Sequence, residues 1–195
     1  MNARRAAACA LLAAALASIG LAALAADNNT DFDQLLQLLA QGRHREADYT
    51  EKKYLAMLAH PLESSGELVY EAPDHLELRS LKPKPQTLVL DHGLVTMQAG
   101  RHRRQVRLED YPQIAPLIDS MRAILAGDRT ALERVFALQF IGTLESWQLQ
   151  LTPRDPRLAE SVRQIDMQGE RDAVREIQVL QSDGDRSVMS ITPRP

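Results

Sequence analysis

Few residues of this sequence are placed to do chemistry, and those few are dispersed. His44, His60, His75, His92 and His102 follow no paired spacing of the kind that builds a zinc site. The single cysteine, Cys9, has no apolar run before it that would make it a lipid-attachment site, and it falls in a leader expected to be cut away, which leaves no thiolate. No metal and no cofactor are expected. Ser64-Ser65-Gly66 lacks the strand, elbow and helix that expose a hydrolase nucleophile, and reads as a turn. Asp91-His92 resembles half of a catalytic triad, yet Asp-His-Gly between two apolar runs is equally a hairpin turn. These features predict a protein that is not an enzyme.

The one concentrated chemical group is basic, the run "RHRRQVR" from Arg101 to Arg107. As a strand it places Arg101, Arg103 and Arg107 on one face and His102 and Arg104 on the other. Two uses fit it. Charge on an edge strand protects the edge from unwanted pairing. The same Arg101, Arg103, Arg104 and Arg107 could also dock on anionic headgroups or on an acidic patch of a membrane partner. The whole chain of 195 residues carries a formal net charge of −3, and its removable leader contains Arg4 and Arg5, so nucleic acid is not an expected partner.

Those arginines open a leader in which an Ala/Leu stretch runs from Ala6 to about Ala25 and ends in Ala23-Leu24-Ala25. Charged, apolar and small-x-small regions in that order predict a cleavable signal peptide over 1–25. An uncleaved anchor is allowed by the length, but alanine is only weakly lipophilic. The arginine pair lacks the context of a twin-arginine signal, which favours general export. A mature chain from about Ala26, 26–195, is then a single domain without cysteine, held by burial alone, as a Gram-negative periplasm permits.

The mature chain starts with a helix: Thr30 and Asp31 offer caps, Phe32, Leu35, Leu36, Leu38 and Leu39 form a stripe, and Gly42 supplies a stop. From Arg45 to Leu108 the period becomes two, in "ADYTEKKYLAML", "GELVYEA", "HLELRSL", "TLVLDHGLVTM" and "RRQVRLE", about five strands. They are divided at Pro61, Ser64-Ser65-Gly66, Pro73-Asp74, Lys82-Pro83-Lys84-Pro85, Asp91-His92-Gly93 and Gly100. A helix then opens at Pro112 with Ile114, Leu117, Ile118, Met121, Ile124 and Leu125, and ends at Gly127. A second follows, with a capping box at Thr130 to Glu133 and Leu132, Val135, Phe136 and Leu138 on its apolar face. About four more strands come from "GTLESWQLQLTP", "VRQIDMQGE" and "AVREIQVLQSDGDRSVMSITP", the last two joined at Asp183-Gly184.

No strand-helix-strand unit repeats, so the fold class is α+β with an antiparallel sheet. Eight or more strands tend to curl, and amphipathic helices need an apolar face to cover. A curved sheet forming a half-open β-barrel, with helices on its concave side, meets both demands.

From Asp31 to Pro193 the chain resembles the outer-membrane lipoprotein carrier (LolA-like) family, in the sub-branch met in lipid and aryl-polyene gene clusters. The stretches that carry the resemblance are "YTEKKYLAMLAHPLESSGELVYEAPDHLE", "KPQTLVLDHG", "GDRTALERVFALQFIGTLESWQLQLTPRDPRLAESVRQIDMQG" and "DGDRSVMSI". The resemblance implies an unclosed antiparallel barrel with a helical lid. It also implies lipoprotein acyl chains as cargo, carried between an inner-membrane transporter and an outer-membrane acceptor. The family usually has an arginine, bonded to the lid, before the proline that follows the second strand; here that position is Ala72.

With only 4% aromatic residues, the leucine faces leave room for flexible aliphatic chains. The expected walls are Leu68, Tyr70, Leu76, Leu78, Leu88, Leu90, Trp147, Leu149 and Leu151 from the sheet, and Leu117, Met121, Leu125 and Phe136 from the helices. Period-two leucines are equally the default packed core of a half-buried strand. The reading is thus a monomeric periplasmic carrier of lipoprotein or related lipid cargo. The alternative is a periplasmic regulatory or adaptor domain that senses lipoproteins or binds a protein partner.

Overall fold

Phe32, Leu35, Leu36 and Leu39 recur at helical spacing and are at most 2% exposed, which fixes the inward face of the first helix, α1, residues 30–41. The computed structural model describes residues 30–110 and 115–194, without the side chains of Pro116, Leu117 and Ser120. The expected signal peptide, Pro112, Ile114 and the Leu117 side chain lie outside what is described.

After α1 the chain makes a six-strand meander, β1 His44–Tyr54, β2 Leu62–Glu71, β3 His75–Lys82, β4 Gln86–Asp91, β5 Leu94–Ala99 and β6 His102–Arg107. Two helices follow, α2 Ala115–Leu125 and α3 Arg129–Val135. The chain then runs through β7 Phe136–Thr143, β8 Ser146–Pro153, the short α4 Pro156–Ala159, β9 Val162–Glu170, β10 Ala173–Gln181 and β11 Arg186–Pro193. All eleven strands form one antiparallel sheet in the order β6-β5-β4-β3-β2-β1-β11-β10-β9-β8-β7. β1 sits at its centre because it pairs with both β2 and β11. β6 and β7 are its two edges, so the sheet is open and curved rather than a closed barrel, and α1, α2 and α3 cover its concave face.

The fold class agrees with the expected one, but several boundaries differ. Among the described residues there are eleven strands, not about nine. Phe136 and Leu138 belong to β7 rather than to the second helix: Phe136 takes extended backbone (φ −126°, ψ 150°), and the alternation of "FALQFIGT" suits a strand. The cap of α3 is Asp128, whose carboxylate accepts from Ala131 N at 2.9 Å, two residues before the expected Thr130. β1 begins three residues earlier than the expected strand and stops at Tyr54, leaving Met57 and Leu58 in a turn. Arg101 sits in the turn before β6, whose Arg103 and Arg107 share one face and Arg104 the other.

Candidate functional site

The strand register places the expected sheet residues on one face. Leu68 faces Leu78, which faces Leu88, which faces Met97; one row over, Tyr70, Leu76, Leu90 and Val95 align in the same way. Across the sheet Leu149 pairs with Met167 and Leu151 with Ile165, and these continue through Ile177 and Val179 of β10. All lie on the concave side, where the helices pack.

The helices divide this face in two. α1 and α3 lie over β7, β8 and β9, where Leu35, Leu132 and Phe136 are 0% exposed and enclose Trp147, Leu149 and Leu151 in one packed cluster. The second cluster is small, built on Leu90, Val95 and Leu108 with Ala115 and Ile118 of α2 against it. α2 belongs to both clusters, since its Ala123 and Ile124 join the first. Leu88 and Met97 pack half-buried against this second cluster, Leu68 and Leu78 are half-buried outside both, and Met121 of α2 is 42% exposed. Of the expected wall, then, Phe136, Trp147, Leu149 and Leu151 are packed core, Tyr70 and Leu90 are buried, and Leu68, Leu76, Leu78, Leu88 and Leu125 are half-buried.

Two arginines hold the helices to one end of the sheet, and periodicity gave no sign of either. Arg45, at the start of β1, turns its guanidinium over Gly42 to the last carbonyls of α1, Leu38 O and Leu39 O, both at 3.4 Å. Its other nitrogen donates to Asp172 O at 2.9 Å and to the Asp172 carboxylate at 3.2 Å. A cation at the end of α1 complements the helix dipole there. Arg122 of α2 donates to Asp74 Oδ2 at 3.0 Å in the β2–β3 turn. At Ala72, where the resemblance leads one to look for a lid-binding arginine, the backbone N–H donates to Arg43 O at 2.8 Å.

The same end gathers Asp74, Asp91 and His92, whose ligand atoms lie within 4.8 Å of one another. These groups are already engaged with protein partners: His92 Nδ1 is 2.7 Å from Asp91, His75 Nδ1 is 3.9 Å from Asp91, and Asp74 serves Arg122. The hydrogen bond to Asp91, with the charge of Asp74, raises the His92 pKa above its ordinary value. Burial raises that of the neighbouring Tyr70 phenol, against the pull of Arg122 and Arg45. On the convex side, a hollow of about 630 Å³ has a mixed lining in which Glu77, Arg79, Gln98 and Arg103 stand beside Leu81, Val89 and Leu94.

A model of the family described as outer membrane lipoprotein carrier protein LolA-like matches residues 23–191 of this chain. Comparison with curated protein sequences gave no match. Among solved structures the chain is similar to a LolA superfamily protein from Nitrosomonas europaea, at 8% identity and TM-score 0.43, covering 85% of this chain and 91% of that one. It is also similar to the Pseudomonas aeruginosa MucA/MucB complex structure, at 16% identity and TM-score 0.47, covering 84% of this chain and 56% of that one. LprF from Mycobacterium bovis matches at 10% identity and TM-score 0.38, over 84% of this chain and 92% of its own.

Proposed function

This chain belongs to the LolA-like family of outer membrane lipoprotein carrier proteins, and we propose that it is a periplasmic carrier that shields acyl chains of lipoproteins or related lipids between the inner and outer membranes. The observation that carries this reading is the row Leu68, Leu78 and Leu88. Leu68 and Leu78 on the concave face stay half-buried outside both packed clusters, their row partner Leu88 packs against the smaller one, and Met121 of the covering helix is 42% exposed.

Moving an acyl chain through water forfeits about 0.8 kcal/mol per methylene, roughly 12 kcal/mol for sixteen carbons, unless it is walled in. Leu68, Tyr70, Leu76, Leu78, Leu88 and Leu90 form the sheet side of that wall, and Met121 and Leu125 the helix side. Displacement of α1 adds Phe136, Trp147, Leu149 and Leu151. The donor is an inner-membrane transporter and the acceptor an outer-membrane protein, with Arg101, Arg103, Arg104 and Arg107 on or beside the exposed edge strand β6 as the docking cations.

A regulatory or adaptor role is the second reading, and one observation favours it. Under α1 the concave face is already filled, with Leu35, Leu132 and Phe136 at 0% exposure. A domain that only docks a protein partner needs no opening there.

The test is native mass spectrometry, with lipid extraction, of protein purified from the periplasm. Bound acylated molecules are expected, and they should disappear in Leu78→Asp, a half-buried site where the charge leaves the circular dichroism spectrum intact. A clean apo mass, with no uptake of fatty-acyl probes, rejects the carrier and leaves the partner-binding domain.

A further inference from the structure

Five of the eight exposed large apolar side chains among the described residues, Tyr54 (37% exposed), Met57 (88%), Leu58 (43%), Leu62 (53%) and Leu81 (55%), lie at one end of the sheet, whereas Leu94, Met121 and Ile141 stand apart from one another elsewhere. Register puts those five there: β1 ends and β2 begins at that end, where Lys53 faces Leu62, and β3 also ends there, where Lys82 faces Ser65. The arginine pins of α1 and α2 are at the opposite end.

This exposure belongs to a held loop. Leu58 N donates to Leu55 O at 2.9 Å, Ala56 N donates to the Asp185 carboxylate at 2.8 Å, and the Arg186 guanidinium stacks 4.4 Å from the Tyr54 ring. Met57 is therefore presented outward by a loop tied to the β10–β11 turn. Pro61 and the Pro83 and Pro85 pair restrict the two tips further.

The charge around the tips has one sign in excess. Lys52 and Lys53 close β1, Lys82 and Lys84 flank the next tip, and Arg101 occupies the β5–β6 turn at the same end. The acids at this end are Glu51 and Glu63, paired to Lys53 and Lys52 at 3.6 Å, and Asp183 and Asp185 of the β10–β11 turn, beside Arg186. In a chain whose net charge is −3, this end is the positive one. Protruding apolar side chains ringed by lysines match the interface of an anionic bilayer, where apolar groups enter the acyl boundary and ammonium groups stay among the phosphates. Lysine, a flexible point charge, suits a fluid headgroup layer better than a fixed carboxylate geometry.

We propose that the 55–61 loop and the 81–85 tip form a membrane-docking end that seats this protein on anionic phospholipid, with Met57 and Leu58 inserted and Lys52, Lys53, Lys82 and Lys84 on the headgroups. The proposal needs no cargo, so it stands or falls apart from the carrier reading. Docked this way, the negatively charged remainder of the chain points away from the bilayer and the sheet runs outward from it.

Flotation with vesicles of phosphatidylglycerol and phosphatidylethanolamine, against pure phosphatidylcholine vesicles, tests it. The protein should float with the anionic vesicles and not with the neutral ones, and 0.5 M salt should release most of it. Met57→Asp should weaken binding at least tenfold, and Lys82→Glu with Lys84→Glu should do the same; both changes are at exposed positions. Absence of binding to anionic vesicles overturns the proposal. So does binding that Met57→Asp leaves unchanged, because adsorption would then be through charge alone. Binding only to an acidic protein partner overturns it as well.

Discussion

Arg122 Nη2 donates to Asp74 Oδ2 at 3.0 Å, so the helix that bridges the two apolar clusters is fastened to the β2–β3 turn by one ion pair. Asp74 is largely enclosed, with its side chain 13% exposed, which gives the pair more weight than a surface bridge. Arg122→Ala should cost roughly 1 kcal/mol and speed amide exchange across 115–125 while leaving β7–β9 unchanged. Equal protection in both proteins would show that apolar packing alone holds α2.

Arg45 performs a related task for α1. Its guanidinium serves Leu38 O, Leu39 O and Asp172 together, so Arg45→Ala unties the helix end from both β1 and the β9–β10 turn. A loss of roughly 1 to 2 kcal/mol in chemical denaturation is expected. Arg45→Lys should recover only part of it, since one ammonium cannot span the three partners.

Trp147 lies over Gly169, its register partner, and donates its indole N–H to Arg171 O at 2.9 Å. A methyl at 169 would meet the indole ring and Ala173 O, so Gly169→Ala should destabilise by roughly 2 kcal/mol. Trp147 is the only tryptophan, so its emission should shift to the red in the folded variant. Unchanged emission would mean that the backbone moves instead.

The Asp48 carboxyl is held below its ordinary pKa, chiefly by its hydrogen bond to Arg194. A carboxylate of lowered folded pKa contributes stability above its unfolded pKa and loses it as pH falls through the folded one. Thermal unfolding should place Arg194→Ala below the parent at pH 6. The gap should begin to narrow near pH 4, about the value of a free aspartate, and close below the lowered folded value. A gap that persists in acid would assign the effect to packing rather than to charge.

Charge placed at two leucines separates the half-buried row from the packed core. Leu78→Asp should keep the fold, because that side chain is half-buried, whereas Leu149→Asp should unfold the protein, because Leu149 is 1% exposed under α1. Matching circular dichroism melts for the two variants would refute this division.

The sequence by itself determined the elements and the poverty of reactive groups. Period-two leucines, stripes such as Phe32 to Leu39 and breakers such as Asp183-Gly184 act within a few residues, so they are legible along one chain. It misassigned Phe136 because a stripe that continues a helix for one more turn also starts a strand, and the extended backbone at its end is set by pairing with Pro153 of β8. Only the tertiary structure decided which leucines are core, since Leu149 and Leu78 share the same local pattern and differ only in whether α1 lies above them. It likewise decided that Arg45, Arg122 and Asp74 gather at one end and Met57, Leu58, Leu62 and Leu81 at the other. Those groupings come from the pairing of β1 with both β2 and β11 and from antiparallel register, which joins residues far apart in sequence by hydrogen bonds that no local pattern encodes.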